Sequence, residues 1–111
     1  TKLFANVDGI TVKGNPGTDY DSNFWLSCII IDPEKFGKTN DEVRLALEAE
    51  NIESRLLWNP MHRHPVYENA PFYGNGVSDS LFAHGLCLPS GSSLTNDDIA
   101  RVAAAVLACK K

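Results

Sequence analysis

The run of residues 53–66, ESRLLWNPMHRHPV, gathers the side chains of this 111-residue chain that could bind a polar ligand. Arg55 could hold a carboxylate or a phosphate through two parallel hydrogen bonds from its guanidinium group. Trp58 could stack on a sugar or a base, and His62 could donate a hydrogen bond to a hydroxyl or a phosphate. Such a composition directly after a predicted strand is typical of a binding loop.

The same residues also have a structural interpretation. Arg55 could instead pair with Glu53 or Glu50, and Trp58 could be a buried residue of the core. Exposed arginine and tryptophan are, in addition, residues that protein interfaces use. The residues alone leave the binding and the structural interpretations open.

The two histidines of this run, His62 and His64, could place two imidazole rings on one side of an extended segment. They would form only part of a zinc site, which needs three or four protein ligands. His84 and three cysteines among apolar residues are the only other obvious nitrogen or sulfur ligands in the sequence. We therefore expect ordinary loop histidines and predict no metal site.

The three cysteines, Cys28, Cys87 and Cys109, lie far apart and show no C-x-x-C spacing. Each lies among apolar residues, where a thiolate would be costly, so we expect small buried side chains in a reducing cytoplasm. A hydrolase that uses Cys87 together with a histidine is a weaker hypothesis.

Apolar patterns predict the strands that must position the run 53–66. Residues 3–12 predict a short strand followed by a polar loop, and the nearly uninterrupted apolar segment 24–31 predicts a central strand covered on both faces. Residues 52–58 predict a second strand, which would carry Arg55 and Trp58 to its end. Residues 86–89 predict a further brief strand.

Helix signals alternate with these strands. The capping-box spacing at residues 39–42 predicts a helix that continues to about Glu50. Residues 78–84 predict a short helix with a serine N-cap and with the following glycine at the C′ position. Thr95 begins the clearest helix, whose apolar residues recur at intervals of three and four to near the C-terminus.

Together these elements predict a single α+β domain over residues 1–111. Strands are too few and connections too irregular for a doubly wound parallel sheet. A small, mainly antiparallel sheet with about three helices packed on one face is the expected architecture.

Charge and hydropathy narrow the classes of partner. The net charge is −4 and the ten lysines and arginines are scattered, so no basic surface for nucleic acid is expected. No apolar run approaches the roughly 18 residues that cross a bilayer, and the N-terminus has no signal-peptide pattern. We expect a cytoplasmic protein that binds neither nucleic acid nor membrane.

The run 53–66 resembles the SRPLWKPMHLQPVF signature of the DegT-like (StrS-like) sugar aminotransferases. Three further parts of the chain agree with this family in order and spacing. They are SNFWL at 22–26, FYG at 72–74, and GLCLPSG at 85–91 followed by TNDDI at 95–99. Several linked motifs make this resemblance specific over nearly the whole chain.

The resemblance implies the C-terminal small domain of a fold-type I aminotransferase that depends on pyridoxal phosphate. In the complete enzyme the cofactor would be bound mainly by another domain, which supplies the Schiff-base lysine. No lysine of this chain lies in a segment that resembles the lysine motif of the family. We therefore expect no catalytic and no cofactor-binding residue here, and no activity from this chain alone.

The implied reaction transfers an amino group from a donor such as glutamate to a nucleotide-linked keto sugar, within a homodimer. Arg55, Trp58, His62 and His64 are the substrate-binding residues that the resemblance implies, near the sugar-nucleotide pocket at the dimer interface. His64 replaces a glutamine of the family signature, which leaves the identity of the sugar open.

A second hypothesis belongs to a different functional class. The chain would be a stand-alone nucleotide-sugar-binding or protein-interaction module, derived from such a domain and using the surface of residues 55–64. The two hypotheses differ in whether this chain binds a nucleotide sugar by itself.

Overall fold

The computed structural model describes residues 2–111, and in this part of the chain one four-stranded sheet combines with four α-helices and three 3-10 helices. The strands and α-helices are β1 (Ile10–Val12), β2 (Ser27–Ile31), α1 (Pro33–Phe36), α2 (Asn40–Ala49), β3 (Arg55–Leu56), α3 (Val77–His84), β4 (Gly85–Leu88) and α4 (Asn96–Ala108). The 3-10 helices are Lys2–Phe4, Met61–Arg63 and Pro65–Tyr67.

The strand order across the sheet is β1-β2-β4-β3, and every neighbouring pair is antiparallel. Strand β4 therefore lies between β2 and β3, and all four of its residues are buried. The predicted α+β class and the antiparallel sheet are confirmed. The structure has one helix more than the three expected, because α1 was not predicted.

One face of the sheet carries the hydrophobic core. Successive side chains of a strand point to opposite faces, so Ile29 of β2 and its partner Leu86 of β4 lie on the same face. Helices α2 and α4 cover this face with Val43 and Val106, both fully buried. The buried cluster consists of Phe4, Ile10, Ile29, Ile31, Phe36, Val43, Leu47, Ile52, Leu86, Leu88, Ala103 and Val106.

Both long helices begin with a capping box, as the sequence predicts. In α2 the backbone N–H of Thr39 donates to Glu42 at 2.8 Å, and this bond lowers the pKa of the Glu42 carboxyl. In α4 the hydroxyl of Thr95 donates to Asp98 at 2.7 Å and lowers the pKa of that carboxyl. No helix within residues 2–111 combines the length and the apolar content that crossing a membrane requires.

Strand β2 begins at Ser27 rather than at the predicted Phe24. Phe24 has a left-handed backbone with φ of 49°, which a strand cannot contain. The N–H groups of Phe24 and Trp25 donate to the side chains of Ser22 and Asn23, at 3.0 and 3.1 Å. Side-chain oxygens of the loop thus accept hydrogen bonds from backbone N–H groups that a longer strand would use in the sheet.

Strand β3 contains only Arg55 and Leu56 of the predicted residues 52–58. Asn51, with φ of 56°, ends helix α2 in the left-handed conformation, and the N–H of Ile52 donates to the carbonyl of Leu47 at 2.9 Å. This is the hydrogen bonding of a Schellman motif, so Ile52 belongs to the helix cap. The first half of the predicted strand therefore does not join the ladder.

Two of the four α-helices also differ from the predictions. Helix α1 follows directly on β2 and is not among the predicted helices; Asp32 is its N-cap and accepts a hydrogen bond from the Glu34 N–H. Helix α3 begins after Gly76, without a side-chain cap, and Gly85 after it is extended and starts β4. Helix α4 ends at Ala108, near the C-terminus as predicted.

The junction of α3 and β4 depends on the absence of a side chain at Gly85. A Cβ atom there would overlap the Leu57 side chain and lie 2.5 Å from the carbonyl oxygen of Leu81. The Gly85 carbonyl accepts a hydrogen bond of 3.0 Å from the buried side chain of Asn40, which ties the start of α2 to the same point. A methyl group at residue 85 would therefore force the Leu57 side chain and the backbone at Leu81 to shift.

We predict that Gly85→Ala lowers the free energy of unfolding by about 1–3 kcal/mol, the usual cost of overpacking a tight site. Urea unfolding followed by circular dichroism measures it. Gly14→Ala is the matched control, because a Cβ at Gly14 would have no atom within 4 Å. Equal stability of the two variants would contradict the proposed crowding at this junction.

Candidate binding site

A cavity of about 730 Å³ lies beside β3 and contains two of the four predicted ligand-binding residues. Its lining includes Arg55 and Trp58, together with Trp25, Cys87 and Arg101. His62 and His64 are not part of this lining. The structure thus brings Arg55 and Trp58 to one cavity and places the two histidines outside it.

Trp25 and Trp58 form an aromatic pair at the cavity. Their ring centroids are 6.4 Å apart and the ring planes are tilted by 44°. The residues are 71% and 67% exposed, so the structural interpretation of Trp58 as a core residue is wrong. Two exposed indole rings at one cavity provide faces on which an apolar or planar part of a ligand can stack.

Arg55 is paired with Glu53, as the structural interpretation allowed. Its Nε and Nη2 atoms both donate to Glu53 Oε1, at 2.9 and 2.6 Å. The two side chains are 80% and 75% exposed, and pairs in such positions contribute at most about 1 kcal/mol. Arg55 is therefore held in place by a bond that an anionic ligand can replace.

Arg101 of α4 is a second arginine of the cavity, but its guanidinium is engaged elsewhere. Its Nη2 atom donates to the backbone carbonyl of Glu50 at 2.5 Å, at the C-terminus of α2. Basic side chains satisfy free carbonyls at helix ends in this way. Arg101 thus joins α2 to α4, and Arg55 is the cavity arginine whose partner is an exposed side chain.

His62 lies in a separate cluster that fastens the loop after β3 to helix α3. Its Nε2 atom is 3.0 and 3.1 Å from the two carboxylate oxygens of Asp79, and its ring stacks on Phe72 with centroids 3.8 Å apart. Only 22% of the His62 side chain is exposed. Arg63 adds a longer contact of 3.7 Å to Asp79 and lies over the ring of Phe82.

His64 lies on the same loop without joining this cluster. Its Nε2 atom is 3.2 Å from the carbonyl oxygen of Asn59, so the contact is local. The roles of His62 and His64 in ligand binding stay predictions. What the structure adds is that the Nε2 atom of each ring already has a partner within the chain.

Two residues of these clusters were not predicted as site residues. The sequence patterns place Trp25 in a predicted strand and Asp79 in a predicted short helix. Each contact joins residues that are distant in sequence: Trp25 with Trp58, and Asp79 with His62. A local sequence pattern cannot predict such contacts. The motif SNFWL, which includes Trp25, was the one signal available.

The described residues do not provide a complete site for a metal or for an aldehyde cofactor that needs a lysine. Within residues 2–111 no group of three His, Cys, Asp or Glu side chains could hold a metal ion. No lysine lines the cavity at Arg55. Lys13 lines a neighbouring cavity, which has no carboxylate in its lining to pair with a pyridinium nitrogen.

Cys87 is the cysteine that lines the cavity, and its environment disfavours the thiolate. Burial raises the pKa of Cys87 to about 11, with a smaller contribution from the neighbouring Cys28. Burial also raises the pKa of Cys109. A Cys87 thiol that stays protonated at neutral pH is poorly suited to act as a nucleophile, which weighs against the hydrolase hypothesis.

Comparison with known proteins gives a consistent result. Residues 1–107 match the family model described as the DegT/DnrJ/EryC1/StrS aminotransferase family. The chain is 40% identical over 85 residues to EpsN of Bacillus subtilis (strain 168), whose assigned activity is that of a pyridoxal phosphate-dependent aminotransferase. It is 35% identical over 83 residues to the GDP-perosamine synthase of Caulobacter vibrioides.

These matches cover 73% and 75% of this chain, but only 21% and 22% of the two relatives. Among solved structures, DesI in the presence of its TDP-sugar product superposes with a TM-score of 0.84 at 28% identity, over 97% of this chain and 28% of DesI. The chain thus spans about a fifth of the length of these curated relatives and just over a quarter of this structure.

We predict that Asp79→Ala releases the loop after β3 and speeds tryptic cleavage after Arg63 about fivefold or more. The reason is that a charge-assisted hydrogen bond of this kind contributes on the order of 1–3 kcal/mol. Cleavage is followed by mass spectrometry on the folded chain. Asp19→Ala, in an exposed loop, is the control. Unchanged cleavage at Arg63 would mean that the His62–Asp79 contact does not fasten the loop.

Proposed function

Because this chain belongs to the DegT/DnrJ/EryC1/StrS aminotransferase family, we propose that it is the C-terminal part of a pyridoxal phosphate-dependent aminotransferase. The substrate would be a nucleotide-linked keto sugar and the amino donor a compound such as glutamate. The complete enzyme would be a cytoplasmic homodimer. The observation that carries the proposal is the family match over residues 1–107, which includes every residue of the Arg55 cavity.

In this proposal the chain contributes a wall of the substrate site. Arg55 would bind the diphosphate of the nucleotide sugar, since its exposed bond to Glu53 costs little to replace. A planar guanidinium can donate two hydrogen bonds to adjacent phosphate oxygens. Trp58 and Trp25 would stack on the sugar or the base beside it.

The two predicted histidines would act from the loop that follows β3. The carboxylate of Asp79 is hydrogen-bonded to the Nε2 atom of His62, so Nδ1 would be the ring nitrogen available to the ligand. His64 would contact the ligand once its local bond to Asn59 is exchanged. Both contacts orient a substrate and transfer no proton.

The chemistry of amino transfer would come from pyridoxal phosphate bound in the complete enzyme, where it acts as the electron sink. In this proposal the rest of the complete enzyme supplies the Schiff-base lysine and binds most of that cofactor. The contribution of this chain is therefore limited to binding and orientation. Such contacts affect the rate by placing the reacting carbon of the substrate correctly.

We predict that Arg55→Ala in the complete enzyme raises the KM for the nucleotide-linked keto sugar roughly 10- to 100-fold, the equivalent of losing a charged hydrogen bond. The half-reaction with the amino donor should be unchanged, because that donor carries no diphosphate. Both are measured by absorbance of the cofactor, in separate half-reactions.

Arg44→Ala is the matched control, since Arg44 is also paired with carboxylates but does not line the cavity. Glu53→Gln should change the KM in the opposite direction, because it removes the charge that competes with the phosphate for Arg55. An equal loss in both half-reactions of Arg55→Ala would argue against a role in diphosphate binding.

The stand-alone binding module remains the second candidate, because the cavity is formed by residues of this chain alone. Both tryptophans of the chain lie at that cavity, so their fluorescence reports on it selectively. If the chain needs the rest of the enzyme, GDP-, UDP- and TDP-sugars should leave the emission of the isolated chain unchanged up to millimolar concentration. Saturable quenching that Trp58→Phe and Arg55→Ala both weaken would favour the module.

A further inference from the structure

Cys28 and Cys87 lie directly opposite each other on neighbouring antiparallel strands. The register pairs Cys28 of β2 with Cys87 of β4, and it pairs Cys87 with Arg55 of β3. Directly opposite residues point to the same face of a sheet, so the three form a row across it. The row lies on the face opposite the core, because Ile29 and Leu86, the next residues along, are core residues.

The two sulfur atoms are 3.6 Å apart. Opposite residues of an antiparallel pair have Cα atoms about 4.5–5.5 Å apart, which lies within the range that a disulfide bridges. Closure to the S–S bond length of about 2.05 Å requires a movement of about 1.5 Å, within reach of side-chain rotation without displacement of the strands.

Cys109 provides an internal contrast. It caps helix α4, packs against the core, and its thiol donates to the Ala105 carbonyl at 3.3 Å. Neither of the other two sulfur atoms is its partner in the structure. Of the three free cysteines, only Cys28 and Cys87 are therefore positioned as a pair.

We propose that Cys28 and Cys87 are a redox modification site. Their two thiols form a cross-strand disulfide by exchange with a low-molecular-weight disulfide such as glutathione disulfide. The bond would form in the wall of the cavity, since Cys87 lines it beside Arg55. This inference rests on strand register and sulfur positions, and it stands whether or not the chain is part of an aminotransferase.

The reaction with glutathione disulfide begins at Cys28, which is the more exposed of the two. The Cys28 thiolate attacks one sulfur of glutathione disulfide and releases one glutathione thiolate. The Cys87 sulfur, on losing its proton, then attacks the Cys28 sulfur and displaces the second glutathione. Two protein thiols are oxidised and one glutathione disulfide is reduced to two glutathione molecules. The high pKa of Cys87 makes the second step slow at neutral pH.

The test is equilibration of the Cys109→Ser chain in glutathione redox buffers at mildly alkaline pH, folded and in concentrated urea. Alkylation after acid quenching and peptide mass mapping identify the 28–87 link. We expect an equilibrium constant for closure at least about tenfold larger in the folded chain, because the strands hold the thiols at high effective concentration. Unfolding separates them by a loop of 59 residues.

Cys28→Ser and Cys87→Ser should yield only mixed disulfides with glutathione. If Cys87→Ser does not fold, Cys28→Ser, at the more exposed position, gives the same control. A folded chain that accumulates mixed disulfides without the 28–87 link overturns the proposal. So does a closure constant no larger in the folded chain than in urea.

Discussion

Strand β4 lies between β2 and β3 with all four residues buried, so each of its two faces must be matched by a different set of neighbours. Toward the core, Leu86 and Leu88 are covered by helices. Toward the other face, Gly85 permits the close approach of Leu57, and its carbonyl satisfies the buried amide of Asn40. A buried amide without a partner would cost on the order of 1–3 kcal/mol, so strand, loop and helix α2 are fixed at one point.

Successive side chains of each strand point to opposite faces of the sheet. The core residues therefore lie on one face, and the row that contains Arg55 lies on the other. The residues that alternate with the core residues of β2, β4 and β3 are Cys28, Cys87 and Arg55, and the register aligns them in one row. A register shift of one residue would bury Arg55 and expose Leu56. The packing of the core therefore determines where Arg55 lies, although Arg55 does not belong to the core.

The sequence predicts the features that depend on residues close together in the chain. It does not predict the contacts between residues that are far apart. Both capping boxes follow from residues three positions apart, and the central strand follows from a nearly uninterrupted apolar run. The start of β2 was missed because the loop side chain of Ser22 takes a backbone donor, which composition does not show. The pairing of Trp25 with Trp58, and of His62 with Asp79, arises only when separate elements pack together. The exposure of Trp58 could not be predicted either, because the apolar residues next to it in the sequence suggest a buried position.

The cavity is open to solvent, which limits how tightly the residues that line it can bind a ligand by themselves. Pockets that hold small ligands usually bury most of the ligand surface, yet Trp25 and Trp58 are largely exposed and contact each other from one side of an open space. Arg55 is equally open, and its bond to Glu53 is weakened by solvent. A ligand resting on this wall would keep much of its surface in water, so its affinity depends on what lies opposite. Strand β4 sets the position of the wall, and a facing surface would set the strength of binding.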